Sequence, residues 1–184
     1  MVYNFFDTES GYIPVGTNLG KKRILAIGGG YDTQSTYKAY GGDFMIDWPI
    51  GPTEPVKGQN AITAHVDYIR FDGGCGLTAA GTRATNCLIP TLTDQEEIFT
   101  DLGFYFVDLK LQPFFRFEWN GFVDDVDHRR DSRRYMGGFN YYVAQQNLKI
   151  TGAYERIVPN VVGATTWKQK NTNHLVVQLQ FLYF

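Results

Sequence analysis

Residues 174–184 read HLVVQLQFLYF, and their alternation limits what this chain can fold into more than any other feature. Side chains of a β-strand point alternately to opposite faces, so a period of two predicts a strand with one oily face and one more polar face. The oily phase comprises Leu175, Val177, Leu179, Phe181 and Tyr183, and the other phase comprises Val176, Gln178, Gln180 and Leu182. The oily phase is suited to contact with lipid.

The same alternation recurs along the chain in segments of about ten residues, the length of a tilted strand that crosses a bilayer. These segments carry large aromatic side chains on the outward phase and carboxylates on the inward phase, and they end in Tyr, Trp or Phe, where an aromatic girdle would lie. Eight such strands begin at Leu25, Tyr40, Ile62, Ile98, Pro113, Tyr135, Leu148 and Leu175, and residues 2–6 form a candidate ninth.

We therefore predict an all-β chain that forms a transmembrane antiparallel up-and-down β-barrel. A soluble sandwich or a lipocalin-like barrel also alternates, so the observation that favours the membrane is the bias toward aromatics on the outward phase. No apolar stretch reaches the roughly 18 residues that a spanning helix needs, so any insertion must use strands. The 17 basic and 19 acidic residues nearly balance, which argues against a nucleic-acid surface.

Loop lengths suggest how the strands are oriented. If the last strand ends at the periplasm, residues 108–110 and 144–147 are short periplasmic turns, while 72–95, 121–133 and 158–173 are long outer loops. This asymmetry is expected of bacterial barrels. The Pro-rich segment 48–60 then falls on the periplasmic side, where it is longer than usual.

The two termini give further expectations. The N-terminal MVYNFFDTES lacks the basic, apolar and small-residue regions of a secretory signal, so the chain reads as a mature or truncated piece. The closing strand, with Phe181, Tyr183 and Phe184 as its aromatic residues, resembles the C-terminal signal by which Gram-negative barrel proteins are recognised by the barrel assembly machinery. Phe184 falls on the inward phase, which a terminal bulge or a frayed last residue would reconcile.

Several segments resemble the C-terminal half of the phosphate-selective porin family, porins O and P. They are YNFFD, GTNLGKKRILAIGGGYD, DTQSTYKAYGGDFMIDWP, NAITAHVDYIRFDGG, LKLQPFFRFEW, YMGGFNYYVAQQNLKITGAYER and the closing strand. The resemblance implies an outer-membrane porin of about sixteen strands, of which this chain is roughly half. It also implies passive diffusion of small hydrophilic solutes or ions such as phosphate, contact with outer-membrane lipid and lipopolysaccharide, a homotrimer when complete, and neither a cofactor nor catalysis.

The inward phase is where a pore would select its solutes, because charged rings and constrictions determine selectivity. The candidate pore-lining residues are Asp43, Asp47, His65, Asp67, Asp101, Arg116, Glu118, Arg134, Lys149 and Glu155. This set is mainly acidic, whereas a phosphate-selective channel calls for rings of Lys or Arg. Two interpretations remain open: the charges line a selectivity path, or they form cross-strand ion pairs that solvate the lumen.

Cys75 and Cys87 flank GLTAAGTRATN in a long outer loop, and in an oxidising compartment we expect them to form a disulfide worth roughly 2 to 3 kcal/mol. The neighbouring sequence offers no further ligands for a metal site. The run DDVDHRRDSRR, residues 124–134, lacks the glycine and distal glutamate of a calcium loop and suits a solvated outer loop that bridges to lipopolysaccharide.

The alternative to a porin half is a self-contained eight-stranded outer-membrane barrel with a structural or adhesive role. The two interpretations differ in whether the strands of this chain close into a barrel. If strands are missing from the chain, we expect unpaired edges or a half-open trough, because lipid offers no hydrogen bonds to an open edge.

Overall fold

The structure, a computed structural model, describes residues 1–8, 17–34, 37–51, 57–72, 94–122, 131–160 and 170–181. The described residues form nine strands: β1 (Val2–Asn4), β2 (Ile24–Gln34), β3 (Tyr37–Pro49), β4 (Ala61–Asp72), β5 (Gln95–Tyr105), β6 (Leu111–Phe122), β7 (Ser132–Ala144), β8 (Leu148–Pro159) and β9 (Thr172–Phe181). Within these ranges, no helix is long and apolar enough to cross a membrane.

All nine strands belong to one sheet in sequence order, and each pairs antiparallel with the next. The predicted all-β, up-and-down arrangement is therefore confirmed. The candidate strand at residues 2–6 is present as β1, and its pairing with β2 continues through a hydrogen bond of 2.9 Å from the Phe5 amide to the Leu25 carbonyl.

The connections follow the predicted loop lengths at one end of the sheet. Two tight turns join β5 to β6 and β7 to β8, and they place Lys110 and Gln145 at positive φ angles of 52° and 53°. At the other end, one connection is shorter than the predicted pattern would suggest: Gln34 pairs directly with Tyr37, so only two residues join β2 to β3. The long connections lie elsewhere at that end, after β4, β6 and β8.

The two faces of the sheet differ in chemistry. The outer face exposes large apolar side chains, and these are the residues that the alternation assigns to the outward phase. They include Ile27, Tyr31, Tyr40, Phe44, Ile62, Val66, Leu102, Phe115, Tyr135, Phe139, Tyr141, Val143, Ile150, Tyr154, Leu175, Val177, Leu179 and Phe181. A patch of this extent marks a surface that meets lipid or another apolar partner. The opposite face, which we call the inner face, carries nearly all the buried polar residues of the strands.

The sheet curls toward its inner face. Gly138 lies on the inner phase of β7, where a Cβ atom would fall 2.7 Å from the Cα of Ala153; at Gly41 on β3 it would fall 2.5 Å from the Tyr68 carbonyl oxygen. On the outer phase, a Cβ at Gly137 would meet no described atom within 4 Å. At Gly41 and Gly138, neighbouring backbones on the inner face approach so closely that only glycine fits. The inner face is the concave one, because a single short segment reaches across it from β3 to the β7–β8 turn.

A short segment before β2 folds onto this concave face. The strap, defined as residues 17–21, contacts two distant parts of the sheet. The Asn18 amide donates to the Asp47 carboxylate on β3, and the Thr17 carbonyl accepts from the Gln146 side chain in the β7–β8 turn. Along the sheet, β3 and β7 are four strand spacings apart, about 19 Å. Two adjacent residues contact both regions only because the sheet is strongly curved.

The sheet remains open. Among the described residues, β1 and β9 have no strand partner on their outer sides, so the nine strands do not close into a barrel. This agrees with the trough expected if further strands belong to the wall. The first and last strands also run in the same direction, because eight antiparallel steps separate them.

Candidate functional site

The ten residues predicted to line a pore all lie on the inner face, and eight of them fall into two groups with different surroundings. We call the region on β3, β4 and the start of β5 the acidic side; it contains Asp43, His65 and Asp67. The region from the middle of β5 to β9 is the paired side, and it contains Asp101, Arg116, Glu118, Arg134 and Glu155. Asp47 and Lys149 lie nearer the strap.

Arg116 and Asp101 are opposite each other in the register of β5 and β6 and form the first ion pair of the paired side. The Arg116 Nε and Nη2 atoms donate to one carboxylate oxygen of Asp101 at 3.0 and 2.7 Å. The guanidinium also lies 4.9 Å from the ring centre of Phe99 and 6.0 Å from that of Phe114. The neighbouring aromatic rings therefore hold the Arg116 side chain in place along the wall.

Arg134 is the centre of a second, larger network that crosses β6, β7, β8 and β9. Its Nη1 atom is 3.0 Å from Glu118 Oε2, and its Nε atom is 3.3 Å from Glu155 Oε1. Glu155 Oε2 in turn lies 2.8 Å from His174 Nδ1. The two glutamate side chains are only 12% and 10% exposed, so the single guanidinium offsets the desolvation of two carboxylates.

The acidic side has the opposite character. Asp43 and Asp67 face each other directly across β3 and β4, an arrangement that is destabilising for like charges unless solvent or ions compensate. Glu97 lies on the adjacent strand, within Coulomb range of Asp67, Glu118 and Arg134. In the described part of the chain, no lysine or arginine lies within ion-pair distance of Asp43, Asp67 or Glu97; the partner of Asp67 is the imidazole of His65 at 3.0 Å.

These carboxylates border a cavity of about 640 Å³ on the concave face. Its lining also includes Phe99, Ile69 and the glycine-rich stretch of β2 and β3, where a Cβ atom at Gly30 would meet no described atom within 4 Å. The Asp43 carboxylate folds over Gly28, so it lies against the wall of the cavity. The carboxylates therefore face the open space of this cavity, where they attract cations and repel anions.

A band of neutral polar side chains separates both charged regions from the strap. Gln112 donates to Thr63 Oγ1 at 3.0 Å, and its carbonyl oxygen accepts from Tyr142 at 2.6 Å and from Asn140 at 3.1 Å. The Thr151 hydroxyl extends this band by donating a hydrogen bond of 2.6 Å to Asn140 Oδ1. The bridge over β5 is possible because Gly103 lies between Thr63 and Gln112 without a side chain.

Two predicted pore-lining residues have other surroundings. Asp47 is fully buried and accepts a hydrogen bond from the strap, so its carboxylate supports that segment and does not face open space. The Lys149 ammonium lies 6.0 Å from the ring centre of Tyr142, near the neutral band.

Three elements of the site were missed in the sequence analysis: Glu97, the neutral band and the strap. The signal for Glu97 was present, since extending the inward phase of Asp101 and Gly103 back along the strand reaches it. Gln112 continues the inward phase of Arg116 and Glu118, but alternation alone does not distinguish its partners Thr63, Asn140 and Tyr142 from other inward residues. The strap lies in a connection, where periodicity carries no information.

Other predicted residues lie outside the described ranges. They are Cys75 and Cys87, residues 124–130 of the charged outer-loop run, and Tyr183 and Phe184 of the terminal signal. Phe181, the remaining residue of that signal, ends β9 and is 69% exposed on the outer face.

Among the described residues, no three His, Cys, Asp or Glu side chains are placed to hold a metal ion. Comparison with known proteins found no family model, no curated protein and no solved structure that matches the chain.

Proposed function

We propose that the chain forms part of the wall of an outer-membrane porin, a passive pore for small hydrophilic solutes or ions. The observation that carries this proposal is the difference between the faces of one curved sheet: an exposed aromatic and aliphatic outer face and a charged concave inner face. Transmembrane barrels have this distribution, with lipid outside and water inside. A soluble sandwich would bury the apolar face against a second sheet, whereas here that face is exposed.

The open edges support a pore built from more strands than these nine. In a bilayer, the unpaired amides and carbonyls of β9 must find hydrogen-bond partners, since hydrocarbon supplies none. A second copy in the same orientation cannot supply an antiparallel partner, because both β1 and β9 run in the same direction. An odd number of further strands is needed to close the wall with antiparallel pairs throughout. Such a pore would lie in the outer membrane of a Gram-negative bacterium, with lipid and lipopolysaccharide around it.

The charges on the inner face favour cations over anions in this part of the pore. On the paired side, most carboxylates are offset by Arg116 or Arg134. On the acidic side, Asp43, Asp67 and Glu97 face the cavity. Among the described residues, His65 is the base within ion-pair distance of Asp67, and Arg134 lies within Coulomb range of Glu97. The described inner face contains no ring of Lys or Arg that would favour phosphate, so we propose a pore for small solutes with a preference for cations in this half.

The nine strands leave the wall open, so the test uses the complete pore, this chain together with the strands that close its wall. The measurement is the reversal potential of this complete protein in a planar bilayer across a salt gradient. Removing two charges that face the cavity, in Asp43→Asn with Asp67→Asn, should shift the preference toward anions. The matched control, Asp101→Asn with Arg116→Gln, removes one charge of each sign and should leave the reversal potential unchanged. A protein that forms no ion-conducting pore would rule out the porin assignment. An unaltered preference in the Asp43 and Asp67 variant would mean that selectivity resides in other strands.

A further inference from the structure

The strap is the one described segment that crosses the concave face without belonging to the sheet. Leu19 is buried among the inner-face side chains of Ala61, Tyr105 and Tyr142, with Val107 beside them. These residues come from β4, β5, β7 and the β5–β6 turn, so the Leu19 side chain closes the inside of the curve at this end of the strands.

The backbone of the strap is built to fit closely against the wall. Leu19 and Gly20 both have positive φ angles, 57° and 68°, which turn the chain sharply on the inner face. A Cβ atom at Gly20 would overlap the backbone of Gln59, and one at Gly58 would overlap the Leu19 carbonyl. Since a side chain at either glycine would displace the strap, the sequence is adapted to this close approach.

Polar bonds anchor the far side of the strap to the β7–β8 turn. The Lys21 ammonium donates to Gln145 Oε1 at 2.9 Å, and Gln146 donates to the Thr17 carbonyl. On the near side, the Asn18 amide donates to the fully buried Asp47 carboxylate on β3. The strap is therefore held at both sides of the curve.

We propose that the strap is a constriction that narrows the pore at the end of the strands where β5–β6 and β7–β8 turn. This inference rests on the proposed porin function, and it assigns the size limit of the pore to a segment of this chain. Beside the strap, a cavity of about 470 Å³ remains between Leu19, Lys21 and the two turns. Lys57 and Lys110 also border it, and Lys57 lies 3.9 Å from Asp108.

The experiment compares an anchored strap with a released one. The release variant, Leu19→Ala with Gln146→Ala, removes the apolar anchor and one anchoring bond and changes no charge. Its matched control, Leu175→Ala with Gln178→Ala, makes the same two substitutions at exposed positions on β9, away from the strap. Gln146→Ala alone is a milder release that keeps Leu19, for use if the double variant does not fold.

Two readouts are measured on each variant, carried in the complete pore with its wall closed and placed in lipid: single-channel conductance and the rate of trypsin cleavage after Lys21, Lys22 or Arg23. Release should raise conductance about two-fold, because a segment leaves the lumen, and it should also speed cleavage; the control should change neither. Faster cleavage with unchanged conductance would overturn the constriction and leave the pore intact. Unchanged cleavage would show that these contacts do not hold the strap. A protein that conducts in none of its forms would overturn the porin function, and the constriction with it.

Discussion

The acidic side and the paired side of the inner face both contain carboxylates, but these meet different neighbours. Asp101 on β5 lies opposite Arg116 on β6, and its charge is offset by two hydrogen bonds. Asp67 lies opposite Asp43 on one strand and Phe99 on the other. The comparison shows that the residue opposite on the neighbouring strand decides which carboxylates are offset by an arginine and which face a like charge.

The largest expected effect comes from breaking the paired side. Arg134→Met leaves Glu118 and Glu155 desolvated without their shared cation and should lower the free energy of unfolding by about 2 kcal/mol. This expected loss is smaller than for a fully buried ion pair, because the Arg134 side chain is 40% exposed and solvent screens its charge. Urea unfolding of the lipid-refolded protein, followed by tryptophan fluorescence, measures the loss.

The acidic side provides the contrast to this variant. Asp43→Asn removes one of two facing carboxylates, so stability should stay within about 0.5 kcal/mol of wild type or rise slightly. Arg133→Met, next to Arg134 but exposed, controls for the loss of an arginine from β7. Equal losses for Arg134→Met and Asp43→Asn would mean that the two sides do not differ in their contribution to stability.

An intermediate effect is expected where the wall is held by neutral groups. Gln112→Leu leaves the Tyr142 hydroxyl and the Asn140 amide without their shared acceptor in a buried setting, so we expect a loss of about 1 to 2 kcal/mol. Because no charge is involved, this loss should be the same at low and high salt in the same unfolding assay. A loss that disappears at high salt would indicate that ion pairs, and not the neutral band, are disturbed. Gln178→Leu, at an exposed inner-face position, is the matched control.

The smallest effect is expected for an ion pair on the outer face. Arg70 and Glu96 approach to 3.7 Å near the end of β4 and β5, with Tyr68 donating to the same glutamate at 3.2 Å. Arg70→Met should change stability by about 0.5 kcal/mol or less, as for other single, loosely spaced surface pairs. A loss as large as that of Arg134→Met would show that location on the inner face is not what makes the paired side stabilising.

The pattern of apolar and polar residues was sufficient to predict the strands and their faces. Phe115 and Arg116, for example, point to opposite faces because alternation is a local property of extended backbone. The same pattern left open whether the inward charges would be paired or free. The structure shows ion pairs on the paired side and, among the described residues, no lysine or arginine within ion-pair distance of Asp43 or Asp67. This difference depends on which residue lies opposite on the next strand, and the selectivity path itself stays a prediction.

The strap and the open edges were decided by tertiary structure alone. Leu19 is one apolar residue in a connection, and nothing local to it indicates burial against Tyr105 and Tyr142, which lie far along the chain. Its place depends on the curvature of the sheet, whose strands approach closely on the inner face at Gly41 and Gly138. The sequence by itself determined that this chain makes amphipathic strands, since the period of two is encoded residue by residue. How far the strands curl, which charges meet and what crosses the concave face depend on long-range contacts, so only the folded structure decided them.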